Sequence, residues 1–224
     1  MRDAAYRILV QKFQIGLFED PFSDPDRAKA TVGNPEFVKQ AKDAQQRALV
    51  LLENKGHLLP LKSAKQKVFL YNIDPEAAAH LGLVVVDALE QADIAIIRAP
   101  APFQSEHPSY IFGSRQMEGR LEYRDSDLAY DAFLKASAKI PTILTVELDR
   151  PAILTNIKDR ATVLIANFGI DDDALLGVIL GSAKPEGHLP FELPSSVEAV
   201  TSQKSDVPHD SQNPLYAYGY GLSY

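Results

Sequence analysis

The chain has 224 residues, a net charge of −7, 46% apolar and 24% charged residues, and no cysteine. This fits one large folded domain, or one domain with a substantial extra segment; it argues against disorder and, with no run of about 18 apolar residues, against a transmembrane helix. The negative balance disfavours nucleic acid as a partner, and the missing cysteines exclude disulfides, thiolate zinc sites and cysteine nucleophiles.

The first residues lack the basic and apolar regions of a signal peptide and open directly in an amphipathic pattern, as expected of a part separated from something longer. Ala5, Ile8, Leu9 and Phe13 recur at helical spacing and Gly16 follows, predicting a helix over 3–14. Pro21 and Pro25 make 17–25 a linker. Asn34 and Pro35 read as an N-cap and first helical position, and Phe37, Ala41, Ala44, Ala48 and Leu52 share a stripe, so a second helix is expected over 35–53 and a loop over 57–61. From residue 67 the pattern alternates. Strands are predicted at 67–72, 83–86, 93–99, 142–148 and 162–167, with helices at 75–80, 87–91, 126–139 and 171–181. Strands this uniformly apolar imply a mainly parallel sheet buried on both faces, hence an α/β layered domain. Residues 100–124 break the alternation with three prolines and two glycines among aromatic and charged side chains, the mark of a functional excursion. A last strand is expected at 188–193, and the aromatic segment 195–224, without helical periodicity, must pack on something.

Phosphate-cradling glycine motifs and a serine elbow are absent, and the five histidines have no helix-borne metal spacing, so neither cofactor nor metal is expected. Asp171, Asp172 and Asp173 read as a helix cap with favourable charge on the dipole. Asp149-Arg150-Pro151 reads as a turn held by its own ion pair. The 100–124 segment carries Glu106, Glu118 and Glu122 with Arg115, Arg120 and Arg124, and it follows a central strand at the end where open α/β sheets place ligands.

Several stretches in order resemble glycoside hydrolase family 3. Gly16-Leu17-Phe18-Glu19-Asp20-Pro21-Phe22, Arg47-Ala48-Leu49-Val50-Leu51-Leu52-Glu53-Asn54 and Leu58-Leu59-Pro60-Leu61 are similar to the stretch leaving that family's catalytic barrel. Lys184-Pro185-Glu186-Gly187-His188-Leu189-Pro190-Phe191-Glu192-Leu193-Pro194 and Gly219-Tyr220-Gly221-Leu222-Ser223-Tyr224 are similar to its second-domain signatures. The resemblance implies a three-layer α/β sandwich with a mainly parallel, twisted sheet and helices on both faces. It divides the chain into the last barrel-type helix and linker (1–34), the sandwich (35–194) and an aromatic tail packed on it (195–224). In the family a barrel supplies the aspartate nucleophile and most contacts to the terminal sugar, and this chain matches only the second part.

Retaining hydrolysis needs a nucleophile and an acid/base with carboxyl groups about 5 to 5.5 Å apart. In many members the acid/base is a glutamate in the loop after a sandwich-domain strand, which corresponds here to 100–124. The usual pattern resembles Glu-Gly-x-Asp-Arg before a leucine; this chain has Glu118-Gly119-Arg120-Leu121-Glu122, without the Asp-Arg pair. Glu118 is therefore the candidate acid/base, with Glu122 and Glu106 as alternates, and Phe103, Tyr110, Phe112, Arg115 and Tyr123 are candidate substrate contacts. The implied function is the second domain of a β-glucosidase-like enzyme, inactive alone, with a barrel in cis or trans and a carbohydrate as partners and no membrane. The parent would be periplasmic, secreted or cytoplasmic. The rival is a scaffold domain that binds carbohydrate or protein through the same loop, with the apolar stripe of the opening helix favouring a homodimer or docking to a separate barrel chain.

Overall fold

A computed structural model describes residues 2–62, 65–112 and 117–224. The chain falls into two compact units, Met1–Ala41 and Lys42–Tyr224.

The first unit is helical. Helix α1 is Arg2–Gln14, and its apolar residues Tyr6, Ile8, Leu9 and Phe13 are exposed. The ring of Phe13 lies 4.6 Å from that of Phe18. Where the expected linker ends, a helix, α2, Pro25–Thr31, begins. Asp24 caps it by accepting from the N–H groups of Asp26 and Arg27, and Pro25 occupies the first turn, where a missing N–H costs nothing. The same proline that suggested a break starts the helix. Helix α3, Pro35–Ala48, begins in this unit and ends in the second, and none of its residues is buried.

The second unit is built on a six-stranded sheet. Its strands are β1 (Val50–Asn54), β2 (Lys67–Tyr71), β3 (Val84–Val85), β4 (Ile94–Pro100), β5 (Thr142–Glu147) and β6 (Val163–Asn167), ordered β1-β6-β5-β4-β2-β3. All pairs are parallel except β1 with β6. The register sets Ile96 beside Ile143 and Leu144 beside Leu164, so apolar side chains stack across the sheet.

Alternation divides the strands between two cores. Ala95, Ile97, Leu144, Val146 and Leu164 meet Tyr130, Phe133 and Ala136 of α5 (Leu128–Ser137) and Ile157 of α6 (Thr155–Lys158). Ile94, Ile96, Ile143, Val163 and Ile165 meet Ala78 of α4 (Pro75–His80) and Leu175, Leu176 and Ile179 of α7 (Asp172–Ile179). The sheet is thus covered on both faces, giving the α/β sandwich. Asp171 caps α7 through a 2.7 Å bond from the Ala174 N–H.

Four expectations need correction. The second helix stops at Ala48, because Leu49 to Leu52 are almost wholly buried and Val50–Asn54 pairs with β6 as an antiparallel strand. Residues 87–91 form only a short 3-10 turn, Leu89–Gln91. Residues 188–193 are not a strand: Pro190 has no N–H to give a ladder, and only an isolated bridge joins Leu193 to Tyr216. Within 195–224 lies helix α8, Val197–Thr201, capped by Ser196 through the Ala199 N–H.

The aromatic segment packs on this unit. Tyr216 is buried and its hydroxyl donates to Glu53, 2.8 Å; burial and that neighbouring carboxylate push its pKa far above the ordinary phenol. Leu222 donates its N–H to the Leu51 carbonyl, 2.8 Å, beside β1. Burial pushes the Tyr224 hydroxyl up to about 12, and it donates to the carbonyls of Val178 and Ala183.

Candidate active site at the carboxyl end of the sheet

Strand β4 delivers the chain to the carboxyl edge of the sheet, and the excursion between β4 and α5 begins there. Two features anchor its start. The Ala101 N–H donates to the Glu147 carbonyl at the end of β5, 2.9 Å, and the Tyr123 hydroxyl donates to the Pro100 carbonyl, 2.6 Å. The loop leaves through Pro102, Phe103 and Gln104 and returns through Glu118, Gly119 and Arg120. The limbs touch where the Gln104 N–H donates to the Glu118 carbonyl, 2.8 Å. Gly119 sits at φ +73°, and a Cβ there would lie 2.7 Å from the Gln104 carbonyl oxygen, so the limbs meet this closely only around a glycine.

Glu118 is half-buried between the limbs. Its Oε1 accepts from the N–H groups of Glu106, 2.8 Å, and His107, 3.1 Å, and His107 Nδ1 lies 3.3 Å from both carboxylate oxygens. Desolvation pushes its pKa up, but the two amides and the imidazole outweigh it and hold the carboxyl below the usual range. In this chain Glu118 is an anion bound by its own loop.

The other candidates are spread around it. Glu106 gives its amide to Glu118 and exposes its side chain. Glu122 is exposed beyond the returning limb, paired with Ile153 in an isolated bridge, and lines a separate cleft of about 510 Å³ with Asn156, Ser196 and Glu198. Tyr110 stacks on His107 at 5.1 Å, and Phe112 is exposed nearby in sequence. Phe103 and Tyr123 line a cleft of about 390 Å³ with Tyr71, Asn72 and Arg120. Tyr123 is itself buried, stacked on Tyr130 at 5.4 Å, and burial drives its hydroxyl pKa strongly upward. Arg115 lies outside the described residues.

Three contributors were not among the candidate site residues. His107 carried no motif signal. Arg120 forms a two-pronged ion pair with Asp127, including a 2.7 Å bond from Nη1 to Oδ2, and that oxygen also accepts from the Arg124 N–H, 2.9 Å. Asp127, just before α5, therefore leaves the helix N-terminus uncapped by its side chain. Arg150 is the third: it serves the loop rather than Asp149, with Nη2 near the carbonyls of Pro102 (2.9 Å), Glu118 (2.8 Å) and Arg120 (2.7 Å) and Nη1 3.4 Å from that of Gly119. The expected Asp149–Arg150 ion pair is replaced by this cluster. An Arg-Pro pair straight after a strand was the available signal.

The Asp127 pair makes a stability prediction. Desolvation raises the Asp127 pKa, but Arg120 and the Arg124 amide outweigh it, so the folded value lies below the unfolded one. Such a group stabilises the fold above its unfolded pKa, about 3.9, and loses that contribution as pH falls through the folded value. Asp127→Asn is expected to cost about 2 kcal/mol at pH 7 and progressively less as pH falls below the unfolded pKa and through the folded one, as read by urea denaturation over an acidic pH series.

Among the described residues no group of His, Asp and Glu is arranged to hold a metal ion, and no helix is long and apolar enough to cross a membrane. A profile of the Glycosyl hydrolase family 3 C-terminal domain matches residues 83–224. The chain belongs to glycoside hydrolase family 3.

Its relatives match it nearly end to end. It is 46% identical to the periplasmic β-glucosidase/β-xylosidase of Dickeya chrysanthemi over 96% of this chain and 33% of that protein. It is 36% identical to β-glucosidase C of Emericella nidulans over 97% and 35%. The family-3 chain therefore spans about a third of the length of these curated relatives. Among solved structures, a β-glucosidase from Erythrobacter marinus superposes with a TM-score of 0.76 at 21% identity, covering 99% of this chain and 40% of that one. The β-glucosidase of Listeria innocua in complex with isofagomine superposes with 0.71 at 19%, covering 97% and 38%. At these identities the likeness is one of fold. The relatives establish this chain as a family-3 C-terminal domain.

Proposed function

We propose that this domain completes the active site of a retaining β-glycosidase, in cis or in trans with a catalytic barrel, and that Glu118 is the acid/base it contributes. The carrying observation is a carboxylate half-buried between the limbs of the loop leaving β4, at the edge where parallel sheets hold ligands. The retaining mechanism divides its labour between two carboxyl groups. The nucleophile would come from the barrel. Glu118 would give a proton to the departing glycosidic oxygen and later take one from water.

The present geometry favours the anion, so acid chemistry requires a change of surroundings. A barrel and sugar closing over the loop would remove water, strengthening the desolvation that already pushes the Glu118 pKa up. The chain alone is therefore inactive in this reading. Phe103, Tyr110 and Phe112, exposed on the loop, would offer apolar faces to a sugar ring, with Tyr123 lining one cleft with Phe103 and Arg115 nearby in sequence. The substrate class is a β-linked glucoside or xyloside, by relation to the Dickeya protein, whose name also motivates a periplasmic location. Cell fractionation checks the location.

Hydrolysis of chromogenic β-glucosides and β-xylosides is measured for the chain alone and with a family-3 barrel, fused or mixed. Activity only with the barrel is the expected result. No activity with a folded barrel and folded domain would favour the scaffold reading, in which the loop binds without catalysis.

A further inference from the structure

The chemistry assigned to Glu118 depends on where its loop stands, and one side chain outside the loop holds both limbs. Arg150 lies between β5 and α6, and the carbonyls of Pro102 on the outgoing limb and Glu118, Gly119 and Arg120 on the returning limb converge on its guanidinium. Nη2 has two N–H groups for three carbonyls, so at least one bond is shared. The arrangement is specific to arginine. Four carbonyl oxygens make a concentrated negative patch, and a planar, always charged fork reaches both limbs at once, whereas an ammonium is a single point on a flexible stem. Arg150 Nε is buried with no hydrogen-bond partner, so the burial of the side chain is compensated at the fork.

The attachment continues along the chain. The Ile153 N–H donates to the Leu121 carbonyl, 2.8 Å, and Ile153 bridges to Glu122, so the segment after β5 is stitched to the returning limb on both sides of Arg120. At Glu118 the restraints meet. Its carbonyl receives Arg150 and the Gln104 N–H, while its carboxylate receives the amides of Glu106 and His107.

We propose that Arg150 is a positioning residue for this site: by clasping both limbs of the β4–α5 loop it fixes where the Glu118 carboxylate stands. Its relevance to turnover rests on the role proposed above for Glu118; the clasp itself does not. Arg150 touches neither Glu118's carboxylate nor, in this assignment, the substrate, and acts through backbone alone.

The test uses the whole chain, isotope-labelled, as Arg150→Met and Arg150→Lys. Amide exchange is read at Gln104, Glu106 and His107, with Ile96, Leu144 and Leu164 of the sheet as controls. Carboxyl titration by NMR is read at Glu118, with Glu198 as control, since its pKa is lowered by its own backbone and Ser196. Among the described residues His107 is the titratable side chain in contact with Glu118, and both variants keep it. In Arg150→Met the three loop amides are expected to exchange about tenfold faster or more while the sheet amides hold, and the Glu118 titration to move up toward an ordinary glutamate while Glu198 stays. Arg150→Lys should fall between. Unchanged loop exchange and an unchanged Glu118 titration in a folded variant would overturn the proposal; if Arg150→Met does not fold, the same readings on Arg150→Lys decide it. In the barrel-completed enzyme Arg150→Lys should lower kcat with little change in KM. A full loss of loop protection with kcat intact would overturn the positioning role. A Glu118→Gln enzyme with normal turnover, beside loosened loop amides in the Arg150 variants, would overturn the acid/base assignment and leave the clasp standing.

Discussion

Glu118→Gln in the barrel-completed enzyme is expected to lower kcat by about 10²- to 10⁴-fold, the range lost when a positioned proton donor is removed. Glutamine keeps an acceptor for the amides of Glu106 and His107, so the loop should hold its shape, but it has no proton to deliver. The loss should depend on the substrate. Glycosides whose leaving group departs without protonation should react nearly normally in the first step and stall at the second, where water needs a base. A small anionic nucleophile such as azide needs no base and should restore part of that turnover, yielding a β-glycosyl azide. Glu106→Gln and Glu122→Gln are the comparisons: the same loss and rescue in either would move the role to that residue. Normal turnover in Glu118→Gln would end its candidacy.

Gly187→Ala is expected to destabilise the fold by about 3 kcal/mol, at the upper end of overpacking costs. The reason is space, not backbone conformation. A Cβ at Gly187 would stand 2.6 Å from the carbonyl oxygens of both Ala48, the last residue of α3, and Leu49, just before β1; these are main-chain atoms with no flexible end to swing aside. The Gly187 N–H also donates to the Leu49 carbonyl, 3.0 Å, so any shift that relieves the clash breaks that bond. The segment is closely packed at Gly221 as well, where a Cβ would lie 2.4 Å from the Gly187 carbonyl oxygen. Urea denaturation measures the effect. A cost below about 0.5 kcal/mol, typical of surface changes, would mean that these segments separate far more easily than their packing implies.

How much of this was readable in advance differs by segment. The three central parallel strands announced themselves as runs rich in Val, Ile, Leu and Ala with few charges, bounded by turn residues, as a sheet covered on both faces requires. Strand β1 did not. Leu49 to Leu52 extend the helical stripe of α3, and periodicity cannot separate a short buried strand from one more helical turn. What decides it is β6, more than a hundred residues away, which no local pattern reveals. Residues 188–193 erred in the other direction: apolar residues flanked by Gly187 and Pro194 look like a strand, yet Pro190 removes the ladder donor. At the site, the loop and its glutamates were visible as an interruption of the alternation. The support for Glu118 was not, since it comes from main-chain amides and carbonyls, which every residue carries. Arg150 was noticed for the wrong partner because adjacent opposite charges suggest a pair, while the carbonyls it binds come together only on folding.

The bond from the Leu222 amide to the Leu51 carbonyl bears on how the protein is made. Strand β1 is synthesised before its neighbour β6 and before the segment that pairs with its other edge, both more than a hundred residues further along the chain. Through that interval the nascent polypeptide carries an unpaired, strongly apolar stretch, the kind of segment that chaperones hold and proteases find. Pairing of Leu222 with Leu51 is then what covers that edge, and a chain lacking Leu222 would keep the strand open to such recognition.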